Sequence, residues 1–288
     1  MWQGGDTPGE DLAVITFEHV AKSYPDGTRA VEDFSAEVPV GSTTVLVGSS
    51  GCGKTTLLRM VNRMVQPSSG RVLLDGRDVA SQDPVTLRRG IGYVMQSGGL
   101  LPHRRVLDNI ATVPLLEGVS KKDAHGRALE LMDLVGLDRS MARRYPHQLS
   151  GGQQQRVGVA RALAADPAVL LMDEPFAAVD PLVRRDLQQW LLGLQGELGK
   201  TVLFITHDIA EALLLGDQIL ILAPGAQVAQ RGTGEEILAQ PANDFVRDFV
   251  GLAAGERVLH PSGSGDRTVL LDAQGRAVGV LGEPGQHR

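Results

Sequence analysis

The sequence predicts an α/β fold with a parallel core sheet, on three observations. Short apolar runs without alternation recur at Thr44–Val47, Ala168–Met172, Thr201–Ile205 and Gln218–Leu222, as expected of strands covered on both faces. Helical patterns separate them, most clearly Pro181–Leu198, with proline at its start and Gly199 at its end. Between the first such strand and a helical run over Thr56–Met64 lies Gly48-Ser49-Ser50-Gly51-Cys52-Gly53-Lys54-Thr55-Thr56, which matches G-x-x-x-x-G-K-[ST].

The remaining elements follow in order. Val14–Val20 alternates apolar and polar residues like a strand with one solvated face, and Tyr24–Gly27 makes a turn. Phe34–Val38 alternates again before Pro39-Val40-Gly41 breaks it, so an antiparallel patch leads into the parallel core. Arg71–Asp75 reads as a strand between the turns Pro67–Gly70 and Asp75-Gly76, and Ile91–Val94 as a strand ending near Gln96. From about 97 to 165 the pattern turns helical, with runs at Val106–Val113 and Lys121–Val135, so a helical subdomain is inserted here. Asp208–Leu215 is the last helix of the core. Residues 1–12 form a flexible N-terminus, 13–253 one domain, and 254–288 a tail rich in Gly, Ser, Asp and Arg. Within the tail, 267–281 reads as strand, turn, strand, and an isolated hairpin of this kind is marginally stable.

A chain of 288 residues buries a sizeable core. Its net charge of −6 argues against a nucleic-acid partner, which requires a basic face. Four Arg-Arg pairs, at 88–89, 104–105, 143–144 and 184–185, are dispersed, and most of them read as solvated faces. No run of about 18 apolar residues is present to span a bilayer, and Met1–Asp11 lacks the pattern of a signal peptide, so the chain is expected inside the cell. Cys52 is the single cysteine, which excludes an internal disulfide and a cysteine-based metal site.

The glycine loop carries the chemistry. Phosphates need converging backbone N–H groups, and a helix N-terminus supplies unpaired donors with partial positive charge. Lys54 then reaches the β- and γ-phosphates, and the Thr55 hydroxyl is placed to ligate Mg²⁺. Asp173 ends an apolar strand, where a carboxylate emerges at the carboxyl edge of an open sheet and holds Mg²⁺. Glu174, one residue on, points differently and orients or deprotonates an attacking water. The bland alternative for this acidic pair is a helix N-cap followed by a first-turn acid. Cys52, beside Lys54 and a helix N-terminus, is expected to be a reactive thiol whose alkylation bound ATP prevents.

Leu149-Ser150-Gly151-Gly152-Gln153 leads into Gln154-Gln155-Arg156 and a helical run to Ala165. With the glycine loop, Asp173-Glu174-Pro175 and Thr206-His207-Asp208, it resembles the ATP-binding cassette (ABC) ATPases from Val14 to Gly251. The resemblance implies a P-loop NTPase of the ABC cassette type: a parallel core, an antiparallel β-subdomain and an inserted α-helical subdomain, hydrolysing ATP with Mg²⁺. It implies that Gly48, Ser49, Ser50, Gly51, Cys52, Gly53, Lys54, Thr55 and Thr56 hold the phosphates, and that Gln96 senses the γ-phosphate and joins Thr55 and Asp173 at the metal. His207 resembles the switch histidine that bonds the γ-phosphate, and Tyr24 the aromatic that stacks on adenine, with a core-packed turn tyrosine as the rival reading. Ser150, Gly151, Gly152 and Gln153 are implied to meet ATP bound to a second, head-to-tail copy. Phe176-Ala-Ala-Val-Asp180 resembles the loop that follows the catalytic acid; Ala177 replaces its usual serine, which leaves Asp180 as the contact.

Asp83–Gln96, followed by Gly99–His103, Asn109-Ile110 and Val113-Pro114, resembles the osmoprotectant importers of the glycine betaine, carnitine, choline and proline class, with an amino-acid, methionine or sulfonate importer as the competing reading and a non-transport ABC ATPase behind it. That resemblance implies a separate transmembrane permease, indirectly an extracytoplasmic solute-binding protein, and a peripheral place on the cytoplasmic face of the inner membrane. Such sequences often carry a tandem nucleotide-sensing CBS module, of which 267–281 looks like a fragment at most.

Overall fold

The computed structural model describes residues 13–96, 98–177, 179–252, 259–262, 268–272 and 275–280; the expectation for residues 1–12 lies outside them. β1 (Ala13–Ser23) and β2 (Arg29–Pro39) pair antiparallel, with Ile15 opposite Val38 and Phe17 opposite Ala36. Their alternation buries one face, on which the Phe17 and Phe34 rings meet edge to face at 5.2 Å. β3 (Thr43–Gly48) is buried throughout and feeds α1 (Lys54–Val61). β4 (Ser69–Leu74) and β5 (Arg77–Asp78) complete an antiparallel sheet of order β2-β1-β4-β5. β4 starts two residues before the expected Arg71, because Ser69 already pairs with Ala21. It stops at Leu74 because Asp75 and Gly76 both take positive φ, 50° and 70°, to turn the chain.

α2 (Pro84–Arg89) begins on proline behind an Asp83 cap whose carboxylate accepts from the Thr86 amide at 2.8 Å. β6 (Ile91–Val94) follows. The periodicity over 106–113 predicts one helix, but the structure divides it into α3 (Val106–Ile110) and α4 (Thr112–Leu116). Pro114 explains the division, since it has no N–H to return to Ile110. α5 (Lys121–Leu134) and α6 (Gly151–Leu163) start behind serine caps, Ser150 in a reciprocal capping box with Gln153.

β7 (Val169–Asp173), α7 (Pro181–Leu198), β8 (Thr201–Thr206), α8 (Ile209–Leu215) and β9 (Gln218–Ala223) then alternate. α7 ends at Gly199, whose φ of 57° forms the left-handed C-cap. β10 (Gln227–Gly232), α9 (Gly234–Ala239) and α10 (Asp244–Phe249) close the core. The second sheet has order β10-β9-β3-β8-β7-β6, all parallel except β10. Near the end of the chain, β12 (Val269–Leu271) and β13 (Ala277–Val280) pair antiparallel, and β11 (His260–Ser262) adds a third strand that its polar, proline-containing sequence does not advertise.

The parallel sheet divides the core by its period of two. Along β8, Val202 and Phe204 face the helical side with Leu131, Val157 and Leu187, whereas Leu203 and Ile205 face α1 and the antiparallel sheet. Phe204 is fully buried in the middle of this arrangement, 5.8 Å from the Phe176 ring. Phe204→Ala is therefore expected to destabilise the chain by about 3–5 kcal/mol, read from urea denaturation against wild type.

Candidate active site

The parallel pairings set where the site lies. Val94 is opposite Met172, Asp173 opposite Ile205, Val47 opposite Thr206, and Gly48 opposite Leu222. Segments leaving β3, β8, β7 and β6 thus emerge at one carboxyl edge, where ligands of open α/β sheets bind. They carry the glycine loop, His207, Glu174 and Gln96 in that spatial order.

Gly53 has φ of 110° and packs so tightly that a Cβ there would collide with the Ala30 carbonyl oxygen. It precedes α1 without any side-chain cap, which leaves first-turn N–H groups for an anion. Lys54 is 4% exposed, and its ammonium donates to the Gly48 and Ser49 carbonyls at 2.7 and 2.9 Å. A cavity of about 180 Å³ opens here, lined by Ala30, Ser50, Gly51, Gly53, Lys54, Thr55, Thr56 and Glu174.

Asp173 is buried at the floor of this edge. The Thr55 hydroxyl donates to its Oδ1 at 3.2 Å, the Tyr93 hydroxyl donates to Oδ2 at 3.1 Å, and the Arg59 guanidinium lies 3.8 Å from Oδ2. Burial, then the neighbouring Asp173 charge, pushes the Tyr93 phenol above its ordinary pKa and keeps it a donor. Thr55 and Asp173 are close enough to share one cation. A hydroxyl and a carboxylate are oxygen donors that suit an ion such as Mg²⁺, which takes its other oxygens from phosphate and water.

Glu174 adopts φ of 45°, in the left-handed region, while its N–H continues the ladder to the Ile205 carbonyl at 3.0 Å. Its Oε2 lies 3.0 Å from His207 Nδ1, with Glu174 the more buried partner. The helix-cap alternative for Asp173-Glu174 is excluded, because the next helix starts at Pro181 and is capped by Asp180. Behind His207, the Thr206 hydroxyl donates to Glu211 Oε2 at 2.6 Å and Gln188 donates to Oε1 at 3.1 Å. Tyr93, Arg59 and Glu211 escaped the sequence reading; the one signal available was that Tyr93 precedes Gln96 in a core strand.

Other expected residues lie outside the cavity lining. Gln96 is exposed in the turn after β6. The Tyr24 ring is 36% exposed, with the Lys22 ammonium 5.3 Å from its centroid, so it is not packed in the core. Ser150, Gly151, Gly152 and Gln153 start α6, where Gly152 is required because a Cβ would strike Val183 of α7. Asp180 is exposed and spends Oδ1 on the Leu182 amide at 3.1 Å. The helix starts of α6 and α7 thus pack together at the surface. Residue 178, inside the Phe176–Asp180 loop, is outside the described residues. One expectation needs correction. Cys52 is only 2% exposed, packed into the core beside Gly48, so it is not an accessible thiol. Most of the Arg-Arg pairs are solvated, as expected, although Arg88 donates to the Asn62 and Arg63 carbonyls and Arg184 lies partly buried 3.9 Å from Asp208.

The ABC transporter family model matches residues 31–177, and the chain belongs to that family. It is 48% identical over 238 residues to a carnitine transport ATP-binding protein of Listeria monocytogenes, covering 83% of this chain and 60% of that one. An osmoprotectant import ATP-binding protein of Salmonella typhimurium is 52% identical over 243 residues, 83% of this chain and 63% of its own. A glycine betaine uptake system ATP-binding protein of Escherichia coli is 50% identical over 247 residues, 85% of this chain and 80% of its own. The chain thus spans about 60% of the length of the first two. Among solved structures, the dimeric bacterial ABC transporter cassette MJ0796 superposes with a TM-score of 0.69 at 33% identity, over 76% of this chain and 98% of that one. The same cassette bound to ADP and Pi, in a post-hydrolysis state, superposes equally well. The α/β fold of an ABC cassette is therefore established. No helix among the described residues is long and apolar enough to cross a membrane.

Burial dominates the environment of Glu211 and raises its carboxyl pKa, with Asp208 adding to the rise and Thr206, Arg184 and Gln188 opposing it. A raised acid holds more protons folded than unfolded, so its contribution to stability is full below the ordinary glutamate pKa and fades as pH climbs through the folded value. Glu211→Gln is accordingly expected to gain stability relative to wild type between pH 5 and pH 8, as measured by paired urea melts.

Proposed function

We propose that this chain is the ATP-hydrolysing subunit of a bacterial importer for a compatible solute such as glycine betaine, choline, carnitine or proline. One observation carries the reading: Lys54, Thr55 and Glu174 converge on a single cavity at the carboxyl edge, with Asp173 bonded to Thr55 at its floor. In this reading the cassette ATPase covers 13–253, its helical subdomain about 97–165, with 254–288 as a tail.

ATP places its phosphates on the loop amides of Gly48, Ser49, Ser50, Gly51, Cys52, Gly53, Lys54, Thr55 and Thr56. Lys54 exchanges its two loop carbonyls for β- and γ-phosphate oxygens. Thr55 and Asp173, joined by Gln96, would hold Mg²⁺, which when bound draws negative charge from the phosphates. Glu174 takes the proton of the attacking water. His207, whose Nδ1 lies against Glu174, would turn a ring N–H to a γ-phosphate oxygen. Tyr24 offers an exposed ring for the adenine.

Ser150, Gly151, Gly152, Gln153 and Asp180 stand at neighbouring exposed helix starts, suited to ATP held by a second copy arranged head to tail. The dimeric MJ0796 cassette supports pairing with a second copy. Two ATPs then bind the dimer together, and hydrolysis loosens it, a population shift passed to a permease that docks on the inserted helices. The permease receives solute from an extracytoplasmic binding protein, and the cassette sits peripherally on the cytoplasmic face of the inner membrane. Relatives named for carnitine, osmoprotectant and glycine betaine transport support the solute class.

Glu174→Gln removes the proton acceptor while preserving shape. Steady-state ATPase activity is expected to fall by a factor of about 10²–10⁴, while MgATP binding persists and size-exclusion chromatography shows an ATP-dependent dimer. Uptake of labelled glycine betaine, choline, carnitine or proline after osmotic upshift is expected to fail in cells carrying this variant. Undiminished hydrolysis would overturn the role of Glu174, a wild-type chain that hydrolyses no ATP the ATPase assignment, and undiminished uptake of all four solutes the importer assignment.

A further inference from the structure

One side chain ties the turn after β6 to helix α6. Arg161 donates from Nη1 to the Gly99 carbonyl at 2.7 Å and from Nη2 to the Gly98 carbonyl at 3.0 Å. Both acceptors are neutral, and among the described residues no carboxylate lies within 4 Å of this guanidinium. Burial alone holds its pKa below the ordinary arginine value. A cation drawn partly out of water without a counter-ion is a net expense, so its role is geometric.

The surroundings match that role from both sides. Gly98 and Gly99 have φ of 70° and 55°, a left-handed pair that presents consecutive carbonyls to one planar fork. A Cβ on Gly99 would collide with Met95 Cε and lie 3.4 Å from Arg161 Nη2. On α6, Gly158 shares the Arg161 face three residues earlier and lies against Gly98, where a Cβ would come into van der Waals contact with the Gly98 carbonyl at 3.4 Å. The Gly98 N–H returns to the Met95 carbonyl at 2.9 Å, which fixes the bonded glycines to the turn bearing Gln96. At its other end α6 begins behind Ser150.

We infer that Arg161 is a positioning residue: it joins the Gln96 turn and α6 into one body, so that Gln96 reaches the nucleotide only as the Ser150 end of α6 is set. The inference deepens the ATPase reading above and rests on it. Lysine keeps the charge but, as a point donor, lacks the fork that serves two carbonyls in one plane.

The test compares the purified full chain as wild type, Arg161→Lys, Gln96→Ala and the double variant. Arg161→Lys is expected to lower kcat about tenfold with KM for ATP nearly unchanged, and to add no further loss in the Gln96→Ala background. Independently of turnover, hydrogen exchange of nucleotide-free protein should show the 98–100 amides exchanging about tenfold faster in Arg161→Lys, with α1 unchanged. Gly99→Ala, which disturbs the same contact from the other side, should reproduce both effects if Arg161→Lys folds poorly. Additive kcat losses, or unaltered exchange at 98–100, would overturn the inference. A wild-type chain that hydrolyses no ATP would instead sink the ATPase reading, leaving exchange to decide whether Arg161 fixes the turn.

Discussion

The parallel alignment of β3, β8, β7 and β6 is the constraint on which the rest depends. Each strand end delivers one chemical group, and their mutual distances follow from pairing: Asp173 opposite Ile205 puts Glu174 beside His207, and Val47 opposite Thr206 puts the glycine loop on the same rim. Side chains alternate faces along a strand, so a one-residue slip of β7 against β8 would turn Asp173 away from Thr55 and Glu174 away from His207 together. Complete burial of β3, β7 and β8 guards against that slip, because a shifted register would send Phe204 and Leu171 into the wrong core.

What the sequence discloses divides along physical lines. The glycine loop, the apolar strands and the helix caps are local, and their chemistry could be read from neighbours in the chain. Contacts between distant segments could not. Tyr93 and Arg59 reach Asp173 from other elements, and Glu211 meets Gln188 across two helices, with no periodicity to mark either. Cys52 shows how local reading misleads: its chain neighbours suggest reactivity, while packing into the core buries it. The division of α3 from α4 was written in Pro114 but hidden by an apolar pattern that runs through it. The residues around Ser150 and Asp180 were legible as a motif yet stand apart from the cavity, as fits a surface completed by another copy.

Electrostatically, the site is self-contained before any nucleotide arrives. The Lys54 ammonium is satisfied by two loop carbonyls, and the Asp173 carboxylate by two hydroxyls with a guanidinium nearby. Buried charges without such partners would be prohibitive. Ligand entry is therefore an exchange of partners within a formed framework, which keeps the loop shaped at little cost in order.

Glu174 shows what that framework withholds. A bulky residue at φ of 45° costs about 1–3 kcal/mol that glycine would not incur. The acid proposed to activate water is thus a position where the proposed catalysis and foldedness pull against each other. Laboratory selection for thermal resistance alone would drift toward glycine here, accumulating hardier molecules that lack the proposed proton acceptor.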